Sequence, residues 1–251
     1  VGVESSRQLP PPLRPVFETE GGPARLESIS ALPWIQLPSA RSLLLSLPVD
    51  ARRSRLGQLV VGLVLLGTSA ALLVLSREGV APWDVLHQGL ARHTGIQIGT
   101  WSIIVAIAVL AIWIPLRERP GVGTISNTVL LGLTMNVVLT LVPAVHGSIA
   151  RWACCVGGIL LNGVATGIYI GAGLGAGPRD GLMTGLARRT GRSLRLVRTV
   201  IEVVVLGLGW MLGGTVGAGT VLYLVAIGPL AHRFVPLFSR RTSAPVRPSR
   251  G

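Results

Sequence analysis

The chain has 251 residues, 49% hydrophobic and 13% charged, with a mean hydropathy of +0.63. A soluble domain carries about 25% charged residues, so this balance excludes an ordinary soluble enzyme or binding domain. Apolar runs of roughly 17–22 residues match about 30 Å of hydrocarbon and point to a polytopic membrane protein.

The net charge of +13 comes from arginine alone, since the sequence has no lysine. With abundant Ala, Gly and Val, that usage fits a GC-rich bacterial genome. The arginines flank the apolar runs, where positive-inside topology accounts for them, so nucleic-acid binding is not expected. Cys154 and Cys155 are adjacent within an apolar run and have no spaced partner. They read as small core residues rather than a disulfide or metal site.

Residues 1–50 read as a disordered tail, broken by Pro10, Pro11, Pro12, Pro15, Pro23, Pro33, Pro38 and Pro48. No signal-peptide pattern stands at its start, and an initial valine suggests an overextended start. Arg52, Arg53 and Arg55 precede the first span, Leu56–Leu75. Five further spans follow at about Gly99–Leu116, Thr124–Val145, Ile149–Ala172, Leu196–Leu212 and Thr220–Phe238. Residues 239–251 read as a second disordered tail.

The first two spans are separated by Gly79-Val-Ala-Pro-Trp-Asp-Val-Leu-His-Gln-Gly-Leu-Ala-Arg-His-Thr-Gly95. It returns 96 residues later as Gly175-Ala-Gly-Pro-Arg-Asp-Gly-Leu-Met-Thr-Gly-Leu-Ala-Arg-Arg-Thr-Gly191, identical at ten of 17 positions. The offset also pairs Gly62 with Gly158, Gly67 with Gly163, Gly132 with Gly228, and Gly121-x-Gly-Thr124 with Gly217-x-Gly-Thr220. The core therefore divides into repeats at 51–148 and 149–238. Three spans per copy make the second enter from the opposite side, a 3+3 inverted repeat as in many secondary transporters. With both termini cytoplasmic, 13 arginines fall inside, and Arg77, Arg92 and Arg151 outside. If the polar segments also spanned, the repeats would be parallel with a bias near 12 to 4. Charge counting alone does not separate the two plans. The polar content of those segments favours the first.

Each polar segment encodes one short helix. Pro82 and Pro178 suit the first helical position, and Asp84 and Asp180 fall in the first turn, beside the positive dipole end. Arg92, Arg188 and Arg189 lie in the last turn, and Gly95 and Gly191 stand where a left-handed residue ends a helix. About 14 residues give ~21 Å, too short to cross, so each helix is re-entrant or interfacial. Gly177, Gly181 and Gly185 form a small-residue ridge suited to close helix packing, which survives in the first copy as Ala81, Val85 and Gly89.

The two aspartates have two readings: helix-terminal charges, or acids lining a midplane site for a small solute or ion. Trp83 and Arg179 occupy equivalent positions and offer an aromatic face and a guanidinium. Arg198 and Glu202, four apart within the fifth span, read either as an i, i+4 surface pair or as cavity groups. Asn127, Asn136 and Asn162 read as interhelical hydrogen-bonders. Enzyme chemistry finds no support. There is no Gly-x-Ser-x-Gly or His-Glu-x-x-His, the histidines are scattered, and the Gly-x-Gly pairs open membrane spans rather than following strands. No cofactor or metal is implied, and oligomeric state is left open.

These residues carry a resemblance. Gly-x-x-Pro-Trp-Asp-Val-Leu-His-Gln-Gly-Leu, Gly-Ala-Gly-Pro-Arg-Asp-Gly-Leu-Met, and Arg198-x-x-x-Glu202 followed by Gly213-Gly-x-Val-Gly-Ala-Gly-Thr220 resemble the YczE/YitT-type bacterial integral membrane proteins over about Leu56 to Phe238. The resemblance implies location and all-helical membrane architecture, not a substrate. Two functions are expected from the residues: a transporter-like carrier or exporter of a small solute in the cytoplasmic membrane, or a non-transporting component that binds partner proteins in regulation or secretion.

Overall fold

A computed structural model describes residues 49–239, with side chains from 52 onward. The tail expected at 1–50 and nearly all of that at 239–251 lie outside the described residues. Among those described there are eight α-helices and no strand: α1 Val49–Ser76, α2 Pro82–Thr94, α3 Ile98–Leu116, α4 Val122–Leu141, α5 Ser148–Gly171, α6 Pro178–Thr190, α7 Leu194–Met211 and α8 Ala218–Phe238. Five of them, α1, α3, α4, α5 and α8, are long and apolar enough to cross a membrane. The sixth expected span is α7, whose 18 residues include Arg195, Arg198 and Glu202, and those charges interrupt its apolar run. The first helix also starts earlier than the apolar run that predicts it. It includes Arg52, Arg53 and Arg55, and Arg55 is buried at 6% exposure with a long 3.5 Å donation to the Ala172 carbonyl.

The punctuation residues act as their chemistry requires. Pro82 and Pro178 open α2 and α6, and each is 13 residues long. Gly95 (φ 72°) and Gly191 (φ 66°) end them in the left-handed region, where a side chain would be strained. The repeated Gly-x-Gly-Thr has two jobs. The threonine hydroxyl accepts from the N–H of the first glycine, Gly121 to Thr124 at 3.1 Å and Gly217 to Thr220 at 3.4 Å, closing the helix start. The second glycine docks on the chain just before a short helix of the other repeat. Gly123 N–H donates to the Leu174 carbonyl and Gly219 N–H to the Glu78 carbonyl, both at 2.8 Å. Positions 123 and 219, like 78 and 174, are 96 apart, so the two docking contacts are equivalent.

α1 and α5 form the centre and run antiparallel. Residues Gly62, Ser69 and Leu73 of α1 meet Tyr169, Asn162 and Gly158 of α5 in turn, so numbers rise in one helix as they fall in the other. Gly62 against Tyr169 and Gly158 against Leu73 are again equivalent positions, the reciprocity of a two-fold contact. Leu59, Leu63, Ala165 and Leu174 are buried around this crossing. Between helices in lipid, close packing and hydrogen bonds stabilise rather than apolar burial. Asn162 supplies one such bond, donating to Ser69 Oγ at 2.8 Å. α4 packs on α1 and α8 on α5; α2 packs on α3 and α7, and α6 on the same two helices.

One pair breaks the correspondence. α3 and α4 cross where Gly99 and Gly132 approach backbone to backbone, with Asn136 Oδ1 accepting from Gly99 N–H at 2.8 Å. Position 195, equivalent to Gly99, is arginine, and Gly228, equivalent to Gly132, has nothing within 4 Å of where a Cβ would stand. The guanidinium stem cannot enter a crossing shaped for a hydrogen atom, and α7 and α8 make no extended contact.

The glycine ridge of α6 also works differently from expectation. Gly181 receives the Trp113 ring of α3, Gly185 faces the Glu118 and Leu116 side chains, and Gly177 has the Asp180, Asn127 and Tyr169 side chains nearest. Side chains, not a helix backbone, fill this ridge. Backbone approach occurs in the first copy, where Gly89 meets Gly209 O and Leu212, and Gly209 in turn abuts Val85 and Leu86. Trp113 and Gly209 are equivalent positions, as are Gly181 and Val85. The large and small partners are exchanged between the halves.

Candidate functional site

The starts of α2 and α6 meet. Trp83 and Arg179 hold equivalent positions in the two repeats, and the guanidinium carbon lies 5.1 Å from the indole centroid, within cation–π range. Contact between equivalent residues places the junction where the two repeats face each other. Neither helix has a side-chain cap at its N-terminus. Each helix start carries the positive end of its dipole, and the long Arg179 side chain links the two starts.

Asp84 is 4% exposed and has two cationic or ionisable neighbours. Its Oδ1 lies 3.2 Å from His87 Nδ1 and 3.8 Å from Arg179 Nη2. The first is a hydrogen bond, in which an ionised Asp84 requires Nδ1–H to donate. The second is an ion pair at its outer limit, too long for a hydrogen bond. His87 is fully buried, and its Nε2 has no partner; Trp83 Nε1, on a residue 7% exposed, has none either. An Asp84 carboxylate stripped of these neighbours would be an uncompensated buried charge, a state costing several kcal/mol.

Asp180, its equivalent, is exposed. Tyr169 of α5 donates to its Oδ2 at 2.8 Å. Tyr223 of α8 lies in the fields of Asp84, Arg179, Arg198 and Glu202, and its hydroxyl donates at 3.4 Å to Asn162 Oδ1. Arg198 and Glu202 pair at 2.9 Å, with side chains 50% and 21% exposed, on the flank where α7 and α8 diverge. The six sequence-selected residues thus fall into three linked groups. Trp83, Asp84 and Arg179 touch directly, Asp180 follows Arg179 in the chain and accepts from Tyr169, and Arg198–Glu202 borders the cluster.

Their charges nearly cancel. Three acids face two arginines and two helix N-termini, each equivalent to roughly +0.5. Among the described residues no three of His, Cys, Asp and Glu come together as a metal site.

The far ends of the short helices are tied down instead. Arg92 donates to the Gly213 carbonyl and to Thr215 Oγ1, and Gln88 Oε1 accepts from Thr215 N–H at 2.7 Å. Arg188 pairs with Glu118, and Arg189 donates to the Pro115 carbonyl. Each last-turn arginine therefore reaches the C-terminal end of a long helix in the other repeat, where cations are favoured. Two surface depressions, about 440 Å³ beside Gln58 and Phe238 and about 730 Å³ beside Glu118 and Arg188, lie at helix ends away from the junction.

Three contributors escape a reading of the sequence alone. His87 has a local signal, three residues after Asp84 and so on the same helix face. Tyr169 and Tyr223 have none, because their equivalents are Leu73 and Asn127 and only tertiary packing brings them to the acids.

Comparison with known proteins agrees with a membrane location. The family described as "Family of unknown function (DUF6198)" matches residues 53–236. An "Uncharacterized protein" of Haemophilus influenzae is 39% identical over 187 residues, covering 74% of this chain and 86% of that protein. The "Uncharacterized membrane protein YczE" of Bacillus subtilis is 33% identical over 180 residues, covering 70% and 82%. "Uncharacterized protein YyaS" of the same organism is 25% identical over 184 residues, covering 72% and 92%. No solved structure matches the chain.

Proposed function

The chain belongs to the DUF6198 family, and we propose that this multi-pass membrane protein is a transporter-like carrier or exporter of a small solute. In this reading α1, α3, α4, α5, α7 and α8 span the bacterial cytoplasmic membrane as a 3+3 inverted repeat. α2 and α6 re-enter from opposite sides, and both termini are cytoplasmic. The protein moves its solute without chemistry.

One observation carries the reading: Arg179 at the uncapped start of α6 reaches across to Trp83 and buried Asp84 at the uncapped start of α2. Paired half-helices with their positive ends at the midplane are the plan by which secondary transporters hold solutes. The antiparallel α1–α5 crossing and the equivalent docking of Gly123 and Gly219 support the inverted topology. Intramembrane acids are costly unless they serve a pathway or partner, and Asp84 meets that description.

The test is flux. Purified protein in liposomes should move solute or protons, and Asp84→Asn or Asp180→Asn should each abolish that movement. Full flux in both variants would remove these residues from the pathway.

A further inference from the structure

The junction also indicates what it binds, an inference that rests on the carrier reading above. Its unused hydrogen-bonding capacity is mostly donor. Neither helix start has a side-chain cap; Pro82 and Pro178 have no N–H and Asp84 N–H already donates to the Ala81 carbonyl, which leaves the N–H groups of Trp83, Arg179 and Asp180. Trp83 Nε1–H, which can only donate, is buried without an acceptor. Arg179 sits over the same indole, its guanidinium carbon 5.1 Å from the ring centroid, and reaches Asp84 only at 3.8 Å, so its planar fork is not committed to a bidentate partner. Donors arranged around a planar guanidinium suit a carboxylate.

An anion entering alone would upset the charge balance. Asp84 faces Arg179, Glu202 faces Arg198, and Asp180 faces the helix ends and the Tyr169 hydroxyl. His87 supplies the compensation. Its Nδ1 is engaged by Asp84, and its Nε2 is buried without a partner, so a proton can add at Nε2 without breaking an existing bond. The imidazolium then serves as the counter-charge of Asp84, which frees Arg179 for the incoming group.

The charged groups around His87 are few. Asp84 on its own helix and Arg179 on α6 act on it directly. α7, which packs on α2, carries Arg195, Arg198 and Glu202, the last two paired with each other, and the Tyr223 hydroxyl of α8 is engaged with Asn162. α3, which also packs on α2, has no ionisable residue. We propose that the α2–α6 junction binds a small monocarboxylate through Arg179, Trp83 Nε1 and the helix N–H groups, together with one proton taken by His87.

The experiment is calorimetric titration of the full chain in nanodiscs of zwitterionic lipid, with acetate, lactate and benzoate as probes. It is run at about pH 7.5, above the ordinary histidine range, so that a neutral His87 has a proton to gain, in two buffers of different ionisation enthalpy. The expected result is saturable binding of at least one probe with uptake of about one proton. Arg179→Gln should weaken binding about tenfold or more, as loss of a charge-assisted pair does, and His87→Gln should abolish the proton uptake. No binding of any of the three probes overturns the proposal, as does binding without proton uptake in the unmodified protein. That measurement needs no variant to fold. Carboxylate binding without flux would overturn the carrier reading and leave this site standing; flux of other solutes without carboxylate binding would do the reverse.

Discussion

Gly62 and Gly158 occupy equivalent positions in the two repeats, and the structure assigns them different tolerances. A Cβ on Gly62 would lie 2.7 Å from the backbone nitrogen of Tyr169, 2.9 Å from its Cβ and 3.0 Å from its Cα. None of these atoms can yield without moving α5 away from α1. On Gly158 the nearest atoms are Leu73 Cγ at 3.1 Å, the Ser69 backbone O at 3.2 Å and Leu72 Cβ at 3.3 Å; the leucine end can turn aside, and the other two need a shift of only a few tenths of an ångström, less than at Gly62. Gly57, on the same helix as Gly62, has nothing within 4 Å.

Overpacking costs about 1–3 kcal/mol, against a helix gain of about 0.5–1 kcal/mol for replacing glycine by alanine. Gly62→Ala should therefore lose about 1–2 kcal/mol. Gly158→Ala should change stability by less than about 1 kcal/mol, and Gly57→Ala should gain about 0.5–1 kcal/mol by the same sums. Thermal unfolding of the purified protein in one detergent reads all three, at roughly 2–4 °C per kcal/mol for a chain of this size. Equal losses at 62 and 158, or a larger loss at 158, would refute the assigned α1–α5 crossing. Because Tyr169 also holds Asp180, Gly62→Ala should impair activity beyond its effect on stability.

Topology has a direct test. In a Cys154→Ser/Cys155→Ser background, Ile96→Cys and Arg192→Cys mark equivalent exposed positions just past α2 and α6, and a membrane-impermeant thiol reagent should reach them from opposite sides. Labelling from one side would mean parallel repeats. A double-mutant cycle of Arg179→Gln and Asp84→Asn should give a coupling of about 1–3 kcal/mol, the double variant losing less than the sum of the single ones; additivity within about 0.5 kcal/mol would sever the pair. Asn162→Ala leaves Ser69 Oγ, buried at 0% exposure, without its donor, and should cost about 1–3 kcal/mol of thermal stability. Tyr223→Phe removes only a 3.4 Å bond and should cost under about 1 kcal/mol in the same assay.

Much of the architecture is local and hence legible. The apolar runs forecast the long helices, and the Pro and Gly residues forecast both short ones to within a residue or so, because helix starts and stops depend on backbone chemistry a few residues away. The 96-residue offset survives in the structure because equivalent glycines serve equivalent close approaches, as Gly123 and Gly219 do. The purpose of the α6 glycine ridge was not legible. A glycine reports that something comes close, without saying whether it is the Trp113 ring or a backbone. Likewise Arg198 and Glu202 announce a pair at i, i+4, but their place beside the junction follows from how α7 lies.

Membrane character, the duplication and two short helices with an acid in the first turn all follow from local sequence. Packing is what brings Arg179 of one short helix onto Trp83 of the other and buries Asp84 while leaving Asp180 exposed. The two acids sit in nearly the same local sequence, so no local rule separates them. Their difference comes from the neighbours: α7 and the turn after it come backbone-close to α2 through Gly209 and Gly214, whereas α6 meets the bulk of Trp113 and lies on the side where α7 and α8 part. Burial is a property of what packs against a residue, and that is settled by contacts more than a hundred positions away in the chain.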